Sequence, residues 1–131
     1  PATAARPKPR FSQPIALMML GIMGQLPDSA GPSGPRSIVT TLLDALPPGS
    51  YLALSDGTDT SPALNHAIAA YNQNSASSYH LRSPEEIARF FDGLTLVPPG
   101  VVTTSRWRPD LAEASAEPQD VGAICGVGRK D

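Results

Sequence analysis

The stretch "FSQPIALMMLGIMGQLPD", Phe11 to Asp28, decides the fold. Nine apolar or small residues run from Ile15 to Met23, and Gly24-Gln25 followed by Pro27-Asp28 closes the run. A helix needs about 20 apolar residues to cross a bilayer, so this segment is too short for one. A secretory leader is the rival reading, because Arg6, Lys8 and Arg10 precede the apolar stretch. Pro14 at the junction counts against it, and so does the poor cleavage site Asp28-Ser29-Ala30. A strand buried in a parallel sheet reads as an unbroken apolar run of about four to eight residues bounded by turn signals. Ile15 to Leu20, closed by Gly21 and Gly24, has that form and predicts a strand largely buried in a sheet.

The flanking sequence agrees. Beyond a Ser, Gly and Pro loop (28–35), Ile38, Val39, Leu42, Leu43 and Leu46 recur at helical spacing, and Pro47-Pro48-Gly49 stops that helix. "SYLALSDG" then gives a second apolar run, Tyr51 to Leu54, closing on Asp56-Gly57. Strand, helix and strand with short joints make a βαβ unit, which implies parallel strands. Ser61-Pro62 is an N-cap with proline at the first helical position, and Leu64, Ala67, Ile68 and Tyr71 share one face of the helix it opens. "SPEE" at 83–86 is a capping box, with Ile87, Phe90 and Phe91 as the apolar stripe behind it. "LTLVPPGVVTTSRW" is rich in β-formers on both sides of Pro98-Pro99-Gly100. Leu111 to Gln119 is an aperiodic loop, and "VGAICGVG" at 121–128 is a glycine-interrupted strand. The expected class is α/β: parallel strands near 15–20, 50–55 and 94–97, an antiparallel strand near 121–127, and helices near 36–46, 62–72 and 84–92. Residues 1–10 read as a linker or frayed end, and 11–131 as the folded part.

Composition limits the function classes. The 131 residues are long enough for a real core. Ten basic against twelve acidic residues give a formal charge of −2 and no basic block, so no nucleic-acid partner is expected. No membrane association is expected either. The single cysteine, Cys125, cannot form an internal disulfide and suits a reducing cytoplasm. One cysteine and two distant histidines, His66 and His80, are too few for a zinc site.

An ordered set of phrases carries a resemblance: "PIALMMLGIMGQLPD", "LLDALPPGSYLALSDGT", "YHLRSPEEIARFFDGLTLVPPGVV", "WRPD" and a closing "GVGRK". From about Phe11 to its end the chain resembles the C-terminal half of a bacterial S-adenosylmethionine-dependent methyltransferase family with a Rossmann-like class I fold. The resemblance implies a mostly parallel sheet with helices on both faces and a C-terminal antiparallel strand. Its cofactor is S-adenosyl-L-methionine. In such folds a glycine-rich loop follows the first strand and an acidic residue follows the second, and this chain contains neither. Gly31 to Gly34 follows what looks like the fourth strand, so it is not that loop. Ligands of doubly wound sheets sit beyond the carboxyl ends of the strands, where strand order reverses. The chain is then expected to supply one wall of that cleft, to take a small-molecule methyl acceptor, and to dimerise or associate with an N-terminal half.

On this resemblance Leu20, Gly21, Ile22, Met23 and Gly24 face the methionine portion of the cofactor. Related enzymes often have histidine near the place of Gln25, and an amide cannot act as a general base at neutral pH. Gln25 therefore reads either as a site residue or as a loop amide bonding to backbone. Asp56, ending the second strand, either orients a ligand or makes an Asx turn with Gly57-Thr58. An imidazole titrates near neutrality, which makes His80 the general-base candidate, with a structural histidine as the other reading. Tyr79 and Arg82 share its loop. Trp107 either stacks on a ligand or packs the sheet edge between Arg106 and Arg108. Asp28 reads as a turn residue, His66 as exposed, Cys125 as a small core residue, and Met18, Met19 and Met23 as core filling.

Overall fold

The structure is a computed structural model describing residues 11–28, 31, 34–110 and 119–131. The expected linker at 1–10 and most of the loop from Leu111 to Gln119 lie outside the described residues. In chain order the elements are β1 (Ala16–Leu20), α1 (Pro35–Asp44), β2 (Tyr51–Gly57), α2 (Pro62–Asn74), α3 (Pro84–Ala88), β3 (Thr95–Leu96), β4 (Val102–Thr103) and β5 (Ala123–Arg129). Short 3-10 turns at Met23–Gln25, Arg89–Phe91 and Thr104–Arg106 join them.

Local chemistry sets the helix ends. Each helix starts with proline at its first position, where a missing N–H costs nothing. The Ser61 hydroxyl accepts from the Leu64 amide, and the Ser83 hydroxyl accepts from the Glu86 amide while donating to the Glu86 carboxylate. At the other end of α1, the Lys130 ammonium donates to the carbonyls of Leu43 and Leu46 at 2.7 and 2.8 Å. It satisfies acceptors that the helix leaves open and complements its dipole.

β1 and β2 pair in parallel, from Ala16 opposite Tyr51 to Leu20 opposite Ser55. β5 pairs antiparallel with β2 on its other side, and β3 and β4 pair antiparallel with β5. Among the described strands β5 alone is reversed, so the others run in one direction, as expected. The last strand in sequence inserts next to β2 and pushes β3 outward, giving the order β1-β2-β5-β3.

Alternation along the strands then defines two faces. Leu17 and Met19, Leu52 and Leu54, and Ile124, Gly126 and Gly128 share the inner face by register. Val39 and Leu43 from α1, Leu46 just beyond its end, and Ile87, Phe90 and Phe91 from α3 and its 3-10 turn complete that core. A Cβ at Gly126 would stand 3.0 Å from the Phe91 ring, so glycine there lets the ring lie on the strand. The opposite face, carrying Ala16, Met18 and Leu20 of β1 and Tyr51 of β2, contains no buried strand residue.

Two expectations fail. Ile15 to Leu20 is a strand but is not largely buried: Met19 is 6% exposed, whereas Met18 is 60% and Leu20 53% exposed. Among the described residues β1 has a hydrogen-bonded neighbour on one side only, and its alternate residues point to the face that α1 and α3 leave uncovered. Met18 is therefore not core filling, although Met19 and Met23 are. The apolar face expected on α2 is not buried either; no residue of α2 is, and Tyr71 is half exposed. The reason is topological. The chain leaves the sheet at Thr58 and returns at Arg82, where the two residues bridge in parallel, and α2 belongs to that excursion.

Candidate functional site

The carboxyl ends of β1 and β2 lie side by side, and two segments far apart in sequence meet there. One is the loop after β1 (21–28), which leaves the sheet through a bond from the Gly21 amide to the Ser55 carbonyl. The other is the return loop at 79–82. They touch at Gly24, whose carbonyl accepts from the His80 amide at 2.7 Å. A Cβ on Gly24 would run into the Tyr79 ring, so the contact requires glycine.

Two buried charged side chains fasten these loops. Asp56, 4% exposed, takes the Gly24 amide on Oδ2 and its own Gly57 amide on Oδ1, both at 3.1 Å. The Tyr79 hydroxyl donates to Oδ1 as well. Burial, and then the hydrogen bond to this carboxylate, push the Tyr79 phenol up to about 12. With three donors already on it, Asp56 holds the two loops together through its side chain. The Asx-turn reading captures only the Gly57 part of this.

Arg82, also 4% exposed, is the second fastening. Its guanidinium donates to the Met23 and Leu26 carbonyls at 2.6 Å each and to the Asp28 carboxylate at 3.1 Å. Its carbon lies 5.9 Å from the Phe90 ring centre. Five fixed donors in one plane suit such a task, because each carbonyl at the loop's turn finds an N–H. Sequence reasoning placed Arg82 in this loop and gave it no role. Its setting between Leu81 and the Ser83-Pro84 cap, directly before a buried stripe, was the available signal.

The expected cofactor-facing residues separate into two groups. Leu20, Gly21 and Ile22 are exposed at the carboxyl end of β1, whereas Met23 and Gly24 are buried beneath the loop. Gln25 is exposed on the 3-10 turn, and His80 is half-buried beside Gly24. His66 is exposed, and Asp28 serves as an ion-pair partner of Arg82. Trp107 follows the 3-10 turn after β4, with the Arg108 guanidinium carbon 5.1 Å from its ring centre. Cys125 is half-buried on β5, and burial pushes its thiol up, which is unhelpful for a nucleophile. Among the described residues no group of His, Cys, Asp and Glu could hold a metal ion. No helix among them is long and apolar enough to cross a membrane.

The sequence model of the family described as S-adenosyl methyltransferase matches residues 3–131. The chain belongs to this family. Its fold is similar to that of a candidate methyltransferase from Thermobifida fusca YX, with TM-score 0.76 and 35% identity over 92% of the chain. It is similar also to a DUF574-family protein from Streptomyces avermitilis MA-4680, with TM-score 0.79 and 33% identity over 91% of the chain. In both cases the chain spans 45% of the relative, a little under half of its length. No curated protein matches. The loops gather at the carboxyl ends of β1 and β2, the end of the strands at which ligands of doubly wound sheets sit.

Proposed function

We propose that this chain forms the acceptor-side wall of an S-adenosylmethionine-dependent methyltransferase domain, and that it works in the cytoplasm on a small-molecule acceptor. The observation that carries the reading is the state of β1. It is an apolar strand with an open edge whose exposed end, Leu20 to Ile22, leads into a doubly fastened loop. The residues present fit the cofactor as one wall. Gly21 offers bare backbone, and Leu20 and Ile22 offer apolar side chains. A glycine-rich loop and a ribose-binding acid would have to come from the part of the longer relatives that this chain does not cover.

The bound cofactor supplies an electrophilic methyl group on a sulfonium. Its displacement needs alignment of donor and nucleophile more than covalent help. The Asp56 and Arg82 fastenings serve that need by fixing the loop that borders both ligands. His80, beside Gly24, is the proton acceptor in this reading for an acceptor that must be deprotonated; Gln25 can only orient.

Alone, the chain is expected to bind S-adenosylmethionine weakly or not at all. It offers part of the contacts against the whole entropic cost of association. The test is to co-produce it with the uncovered portion of the Thermobifida fusca relative and follow methyl transfer from labelled cofactor to a mixture of small acceptors. Transfer that needs both parts and falls in His80→Gln supports the reading. A correctly assembled pair that binds no cofactor would overturn it. The competing reading, a non-catalytic interaction module, predicts association of the two parts without cofactor binding.

A further inference from the structure

Beside the Arg82 fastening, α1, α3 and the loop residues Asp28 and Arg82 line an open cleft of about 820 Å³, within the size range of small-molecule sites. Its lining includes Arg36, Ser37, Thr40 and Thr41 from α1, Arg89 from the turn after α3, and the buried Arg82. We propose that this cleft binds a small molecule through a single carboxylate or phosphate group.

Charge and hydrogen-bond accounting support the assignment. Three arginines and two carboxylates, Asp28 and Glu86, line the cleft, and the carboxylate of Asp92 pairs with Arg36 from beyond the lining. Asp28 is neutralised by Arg82 at 3.0 Å, and the Glu86 carboxylate accepts from the Ser83 hydroxyl. Arg36 is tied to Asp92 only through a pair that is 62% exposed on each side, a weak and easily exchanged contact. The Arg89 guanidinium and the hydroxyls of Ser37, Thr40 and Thr41 make no hydrogen bond to protein among the described residues. Donors without partners thus converge on a concave surface with Phe90 among its lining residues. The first turn of α1 adds a further attraction for an anion, since it has no side-chain cap and no acidic residue. Among the described residues Arg89 is the lining guanidinium without an ion-pair partner, and one such group fits one anionic group and disfavours a polyphosphate. Guanidinium and hydroxyl donors suit the oxygens of a carboxylate or phosphate alike.

The proposal rests on the fold and is independent of methyl transfer. The experiment is a calorimetric titration of the protein with inorganic phosphate and, separately, with benzoate, at low ionic strength. The Arg89→Gln and Thr40→Val variants are compared with Arg129→Gln, which removes an exposed arginine from the end of β5. The expected result is saturable binding of at least one probe, weakened roughly tenfold by Arg89→Gln and less by Thr40→Val, and unchanged by Arg129→Gln. Binding of phosphate alone narrows the ligand to phosphates, and binding of benzoate alone narrows it to carboxylates. Absence of binding by either probe, or equal weakening by Arg129→Gln, would overturn the proposal. Arg89 is exposed, so its replacement leaves the fold intact and a negative result is interpretable.

Discussion

The two edges of the sheet are built differently. At the far edge, β3 and β4 are two residues each, and Pro98-Pro99-Gly100 interrupts the strand between them. Polar contacts finish that edge. The Thr103 hydroxyl bonds the Ala123 carbonyl at 3.3 Å, Arg108 covers the Pro98 carbonyl, and Thr95 and Arg129 both hold Asp131. At the near edge, β1 has five residues in a row with no proline and no charge, and Met18 and Leu20 stand out of it. Exposed edges are usually blunted by short strands, prolines and charges, because an open apolar edge recruits other strands. The far edge is blunted in this way and the near edge is not. The difference marks β1 as a strand suited to a further neighbour, which the reading of this chain as one wall of a domain supplies.

Substitutions can break this comparison or sharpen it. The largest effect is expected where β1's loop is fastened. Arg82→Met removes the guanidinium that serves two carbonyls and the exposed Asp28, and leaving each carbonyl without its donor should cost about 1–3 kcal/mol in urea unfolding. A loss below 1 kcal/mol would mean the loop is held by something else. Next, crowding the covered face should be costly. Gly126→Val, pressed against Phe91 and Val101, should lose about 1–3 kcal/mol, while Met18→Val on the bare face should stay within about 0.5 kcal/mol. Equal losses would erase the difference between the faces.

A smaller effect belongs to the Asp56–Tyr79 contact. The Tyr79 phenol is raised above its ordinary value near 10 to about 12, so its neutral form is the one the fold favours. Its contribution to stability is complete below pH about 10 and is lost as pH rises toward about 12. Ultraviolet titration should show one late tyrosine step that disappears in Tyr79→Phe and moves earlier in Asp56→Asn. The smallest change in stability, within about 0.5 kcal/mol, is expected for Met18→Lys with Leu20→Lys. By light scattering, the same pair should turn an associating chain into a monomer. Association that persists in the double variant would mean that β1's edge is not its cause.

The parts of the fold that were legible in the sequence are those set by local chemistry. Proline at each helix start, the Ser61 and Ser83 caps, and the apolar runs of β1 and β2 each act over a few residues. Strand directions followed from the βαβ rule. Burial of β1 was misread because an unbroken apolar run records what the strand suits, not what covers it. The excursion carrying α2 was invisible because its return at Arg82 depends on a bridge to Thr58, which no local pattern encodes. Among the candidate site residues, Asp56 and His80 stand out by residue type and by position at a strand end and a loop. The role of Arg82 depends on carbonyls at Met23 and Leu26, nearly half the chain away, and only the tertiary fold brings those atoms together.

The central claim is that β1 and its loop form one side of a cofactor cleft and need the other side to function. Calorimetric titration of S-adenosylmethionine into the 131-residue chain by itself tests this most directly, run alongside light scattering on the same sample. The account predicts no binding in the micromolar range, from a chain that associates through its open edge. Micromolar binding by a monodisperse monomer would contradict it.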